Sequence, residues 1–79
     1  MMPAVELLVR AGCHLCDEFL LELSLDHPSL GLAVQACDVD ADATLAQQFG
    51  LRVPVLLVDG QVACEGRYAR DRVASALRL

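Results

Sequence analysis

The chain has 79 residues, 56% of them apolar, and a formal net charge of −5. A chain this short hides a modest share of its surface on folding, but an apolar content this high makes it a core-former and excludes a disordered tail. Its six cations face eleven acids, which argues against non-specific nucleic-acid binding, and no run approaches the ~20 apolar residues of a membrane span.

All six cations are Arg, and the aromatics are two Phe and one Tyr, so an aliphatic core of Leu, Val and Ala is expected. No repeat, low-complexity stretch or linker interrupts the chain, and a single domain over residues 1–79 is expected. Only Met1 to Val9 precede the first chemically suggestive residues, too few for a secretory signal. The expected location is the cytoplasm, where structural disulfides are uncommon. Four cysteines there point to redox chemistry, metal binding or packing.

Val5 to Arg10 reads as a strand, and its nearly unbroken apolar run suits a central strand covered on both faces. Ala11-Gly12 breaks it. A helix is expected from about Cys13, with Cys16, Phe19, Leu20 and Leu23 facing the core. Asp17 and Glu18 suit its positive start, and His27-Pro28 ends it. Leu32 to Cys37 reads as a second strand. Asp38-Val39-Asp40-Ala41-Asp42, rich in capping residues, leads into a short helix that runs to Gln48 or Phe49 and stops at Gly50. Val53 to Val58 reads as a third strand, opened by Pro54. Asp59-Gly60 is a hairpin signal, Gln61 to Glu65 is the returning strand and Gly66 ends it. Ala69 to Leu79 is the last helix, with Val73 and Leu77 inward and Arg78 suited to its negative end. The order is β-α-β-α-β-β-α, a right-handed βαβ crossover followed by a hairpin and a helix.

Cys13-His14-Leu15-Cys16 between a strand and a helix has a definite chemical logic. The first cysteine lies at the helix start, where unpaired N–H groups favour thiolate over thiol. The thiolate is the species that attacks a disulfide. Two intervening residues bring the second sulfur close enough to bond to the first. Cys13 is therefore the expected nucleophile and Cys16 the more buried resolving thiol. Arg10, three residues before Cys13, and His14 when protonated would also stabilise the thiolate, while Asp17 and Glu18 oppose it. A lone CxxC also suits half a zinc site, but Cys37, Cys64, His14 and His27 are scattered singly rather than in ligand pairs. Cys37 and Cys64 read as packing residues and His27 as surface.

Taken together, Cys13-His14-Leu15-Cys16 after a strand, Asp38-Val39-Asp40, Arg52-Val53-Pro54 and Val58-Asp59-Gly60 resemble a glutaredoxin. The likeness is strongest to the small bacterial glutaredoxin-like proteins of the thioredoxin superfamily, and it covers nearly the whole chain. It implies an α/β thioredoxin-like fold with a central four-stranded mixed sheet flanked by helices. It also implies a cis Pro54 beside the active cysteines, shielding the sulfurs from metal. The Val53 backbone would then pair with an incoming peptide or glutathione. Cys13 and Cys16 are thus the candidate catalytic residues. Arg10, His14, Leu15, Arg52, Val53 and Pro54 are the candidate substrate-binding residues.

The sequence departs from that family in several places. His14-Leu15 replaces Pro-Tyr, and Arg52 replaces a Thr. Cys64-Glu65-Gly66-Arg67-Tyr68 stands where glutaredoxins carry a Gly-Gly pair and an Asp, and Glu65 adds negative charge. These features count against glutathione, while Arg10 and Arg52 remain as cations for it. No tightly bound cofactor is expected. The implied activity is thiol–disulfide exchange on disulfide-containing proteins or small thiols, with a reductase or glutathione as electron donor. The alternatives are a non-catalytic binding or iron–sulfur carrier module on the same fold, and a zinc-stabilised interaction domain.

Overall fold

The computed structural model describes residues 4–78. Strand β1 (Val5–Val9) lies inside a four-stranded mixed sheet of order β2-β1-β3-β4. It pairs in parallel with β2 (Gln35–Asp38), with Val9 opposite Asp38. On its other side it pairs antiparallel with β3 (Val55–Val58), with Leu8 opposite Val55. Strand β4 (Gln61–Glu65) returns antiparallel along β3, Glu65 opposite Val55. The ends of β1, β2 and β4 and the start of β3 therefore meet at one end of the sheet.

The apolar run of β1 exists because both of its faces are covered. Successive side chains on a strand point to opposite faces. Leu7 packs with Phe19, Leu23, Leu56, Cys64 and Val73, whereas Leu8 packs with Val39, Phe49 and Val55. Helix α1 (His14–Asp26) and helix α4 (Arg70–Leu77) supply Phe19, Leu23 and Val73 to the first cluster. Helix α3 (Ala43–Phe49) supplies Phe49 to the second. The result is the α/β thioredoxin-like arrangement, helices on both faces of a mixed sheet.

The β3–β4 hairpin forms as its sequence predicts. Asp59 and Gly60 both have positive φ, 52° and 82°, the pair of left-handed residues that a tight hairpin turn of this hand requires. The Asp59 carboxylate also accepts from the Ala4 N–H at 2.9 Å, holding the start of β1 to the turn.

Five local expectations are corrected. His27-Pro28 ends α1, but a further helix, α2 (Pro28–Ala33), follows at once. Proline fits a first helical position because the N–H it lacks has no partner there. Leu32 and Ala33 complete that helix, so β2 starts at Gln35 rather than Leu32. Leu32 is 91% exposed, an apolar residue that signals no burial. The third strand starts at Val55 rather than Val53, since Pro54 has no N–H to give to a ladder. A 3-10 turn (Val39–Ala41) occupies part of the capping segment: the Asp38 side chain caps it, and Asp42 caps α3. The last helix ends at Leu77, with Arg78 left-handed at φ 61°. Met1 to Pro3 and Leu79 lie outside the described residues.

The end of α1 is tied to the start of α4. The Asp26 carboxylate accepts from the Tyr68 hydroxyl at 2.8 Å and from Arg70 Nε and Nη2 at 3.0 and 2.9 Å. Arg70, then Tyr68, hold the Asp26 carboxyl below its ordinary range, and burial and Asp26 keep the Tyr68 phenol protonated. Tyr68 meets Phe19 edge to face, with centroids 5.3 Å apart.

Two predictions follow from this packing. Leu23→Ala, which empties a fully buried site, should cost about 2–5 kcal/mol in urea unfolding. A group whose carboxyl is lowered on folding stabilises above its unfolded value and loses that contribution as pH falls through the folded one. The stability gap between wild type and Asp26→Asn should therefore be present at neutral pH and shrink once the pH drops below the ordinary aspartate value of 3.8. Urea titrations at neutral and acidic pH check this.

Candidate functional site

Gly12, at φ 74°, turns the chain between the end of β1 and α1 in a conformation that side chains disfavour. Cys13 follows as the N-cap of α1, with extended backbone. Cys13 and Cys16 are joined by a disulfide, their Cα atoms 5.2 Å apart. The Cys16 backbone N–H donates to Cys13 Sγ at 3.1 Å, so the sulfur takes the place that a capping oxygen holds at other helix starts. Cys16 is 4% exposed, and Cys13 is half-buried. This asymmetry fits an accessible attacking sulfur and a sheltered resolving one.

The remaining candidate residues fall into two groups. His14 and Leu15 occupy the first turn of α1 and are exposed. The Val53–Pro54 peptide is cis, with Pro54 buried and Val53 half-buried outside the ladder. Among the described residues, the Val53 N–H and C=O make no backbone hydrogen bond. The Gly66 N–H donates to the Pro54 carbonyl at 2.8 Å, which fastens the end of β4 to this segment. The register described above places the Cys13 loop, Pro54 and Glu65 at the same end of the sheet.

Both arginines of the candidate set carry bonds within the protein. Arg10 donates through Nε and Nη2 to Asp40, both at 2.9 Å, and through Nη1 to the Gly50 carbonyl at 2.8 Å. Arg52 donates through Nε and Nη2 to Glu65 at 2.6 and 3.2 Å, and its guanidinium lies 4.9 Å from the centre of the Phe49 ring. The Asp40 and Glu65 carboxyls are held below their ordinary ranges by these arginines, hydrogen bonding first. The sequence marks Asp40 as a capping residue and as part of the glutaredoxin-like Asp38-Val39-Asp40 stretch, and Gly50 as a helix stop. The one signal that could have paired them with Arg10 was an isolated cation facing an acid-rich loop.

The other cysteines sit in strands. Cys64 is buried, and its thiol donates to the Arg67 carbonyl at 3.2 Å. Cys37 is half-buried on the otherwise exposed edge strand β2 beside Glu6, and burial followed by that carboxylate pushes its thiol up. Among the described residues, no three His, Cys, Asp or Glu side chains come together as a metal site. No described helix is long and apolar enough to cross a membrane.

Residues 4–78 match the glutaredoxin-like domain family DUF836. The chain belongs to this family. A redox role fits both the family and the Cys13–Cys16 pair. Among similar proteins are uncharacterized proteins of Mycobacterium tuberculosis and Mycobacterium bovis, each 41% identical over 64 residues, or 75% of this chain. The chain spans 66% of the length of those relatives. The X-ray structure of a protein from X. campestris is similar at 32% identity and a TM-score of 0.74, covering 95% of this chain and 96% of that one. The solution structure of a Nitrosomonas europaea protein, 23% identical, shares the fold with a TM-score of 0.85 over 98% of this chain and 93% of its own.

The site's geometry gives a direct chemical test. Under native, oxidising conditions iodoacetamide should modify Cys37 alone, with Cys64 added only after unfolding. After reduction, Cys13 should be alkylated first and Cys16 more slowly. Modification of Cys13 without prior reduction, read by peptide mass, would show that the pair is not joined.

Proposed function

We propose that the protein is a thiol–disulfide oxidoreductase that reduces protein or small-molecule disulfides. The observation that carries this reading is the Cys13 sulfur at the start of α1, accepting the Cys16 N–H. In the reduced protein the same N–H and the positive end of the helix favour a Cys13 thiolate. That thiolate attacks one sulfur of the substrate disulfide and expels the other as a thiolate, leaving a mixed disulfide. Cys16, as thiolate, then attacks Cys13 Sγ and releases the second substrate sulfur. Two electrons have passed to the substrate, and the protein is left as the Cys13–Cys16 disulfide. An external dithiol or a reductase restores it. In the cytoplasm, where thiol pools are reducing, this direction is favoured. The exposed Leu15 and the unpaired Val53 backbone support a substrate that lies across the cysteine loop and the Pro54 segment.

Turnover of hydroxyethyl disulfide, with dithiothreitol as donor and corrected for the uncatalysed rate, tests the reading. Cys13→Ser should lower it by at least ~100-fold. Pre-reduced Cys16→Ser, freed of dithiothreitol, should keep the first step and accumulate the mixed disulfide, visible by intact mass. Equal rates for wild type and Cys13→Ser would defeat the proposal.

A further inference from the structure

An exposed arginine beside a reactive thiol is a ready clamp for a carboxylate, because its guanidinium presents two parallel N–H donors. Two arginines stand at this end of the sheet. Arg10 follows β1 three residues before Cys13, and Arg52 lies two residues before Pro54. Each is turned onto a carboxylate of the protein itself. Arg10 spends Nε and Nη2 on Asp40 and Nη1 on the Gly50 carbonyl. Arg52 spends Nε and Nη2 on Glu65 and lays its face toward Phe49. Arg72, on α4, adds its field to the same Glu65 carboxylate. Both pairs are solvent-accessible, so they contribute little to stability. They do engage the Nε–Nη2 edge of each guanidinium, the pair of donors best suited to a carboxylate. A carboxylate arriving at that edge would have to displace Asp40 or Glu65 and leave it unpaired beside another anion, with the exposed Asp17 and Glu18 also near the start of α1.

We propose that Asp40 and Glu65 set the substrate class of this site: by engaging Arg10 and Arg52 they select disulfides without carboxylates and turn away anionic ones, glutathione disulfide included. This rests on the oxidoreductase reading above. The substrate this arrangement favours is a neutral or cationic disulfide, as in a polypeptide segment poor in acids.

The test uses the reduced protein and three small disulfides: dithiodipropionate, which carries two carboxylates, neutral hydroxyethyl disulfide, and cystamine, which carries two ammonium groups. Each oxidation converts the two protein thiols to the Cys13–Cys16 disulfide and releases two small thiols, so no further reductant enters. The rate constant is read as loss of alkylatable Cys13. Each is divided by the rate of the same disulfide with mercaptoethanol, which removes leaving-group differences. In the wild type the normalised rate for dithiodipropionate should fall at least ~5-fold below that for hydroxyethyl disulfide, the gap closing as salt rises. Cystamine should match or exceed the neutral compound. Glu65→Gln and Asp40→Asn should each raise the anionic-to-neutral ratio by about 3- to 10-fold. That ratio is internal to each protein, so a general loss of reactivity does not affect it. A wild-type ratio at or above one, or a ratio unmoved in both variants, overturns the proposal while leaving the oxidoreductase reading intact. A reduced Cys13 that reacts with the neutral disulfide no faster than mercaptoethanol does overturns both.

Discussion

The proposed chemistry depends on one hydrogen bond, from the Cys16 backbone N–H to the Cys13 sulfur. It exists only if Cys13 is the N-cap of α1 rather than a residue inside the helix. Gly12 makes that possible by turning the chain at positive φ directly after the strand. Strand β1 in turn holds the turn in place, because Leu7 and Leu8 are anchored in opposite cores. A reactive sulfur on a flexible loop would gain little from a helix terminus, since the benefit falls off within a turn. Fixing β1 between β2 and β3 is what converts a local helix effect into a stable feature of the site.

The acid at the end of α1 shows how such a small chain closes its layers. Asp26 stands at the negative end of the helix, where a carboxylate is unfavourable. Tyr68 and Arg70, 42 and 44 residues further on, offset that cost by donating three hydrogen bonds to it. The same contacts bring Tyr68 edge-on to Phe19 and seat the start of α4 against α1. One side-chain network thus joins the first and last helices over a core with few aromatic rings.

Much of the architecture was legible in the sequence because local chemistry and global position agreed. The two-sided apolar run of β1, the Asp59-Gly60 turn and the limits of β4 each carry a signal that the fold does not contradict. The CxxC motif between strand and helix placed the cysteine pair, and the likeness to glutaredoxins pointed to the cis proline. What escaped was set by long-range partners or by misleading apolar residues. Leu32 suggested a strand because it is apolar, yet it sits exposed on a short helix that starts at Pro28. Arg10 and Arg52 were read as free cations because nothing local reveals that Asp40 and Glu65, 30 and 13 residues away, will reach them. Charges declare their presence in a sequence, but their partners are chosen by the fold.

Gly50 shows the difference between a residue's usual meaning and its role in this fold. A glycine after a helix ordinarily serves a left-handed backbone, but here it stays right-handed at φ −55°. It is buried, and a Cβ added there would meet the Ala46 carbonyl and come within 2.9 Å of Arg10 Nη2. The position therefore needs glycine for space: it is the socket into which the Arg10 guanidinium fits. Through that socket Arg10 connects the strand that leads to Cys13 with the end of α3, which leads to Pro54. A lysine at position 10 would keep the charge but lose the planar three-way fork that reaches Asp40 and the Gly50 carbonyl together. The guanidinium is thus better understood as a strut between the two halves of the site than as a ligand waiting for a substrate.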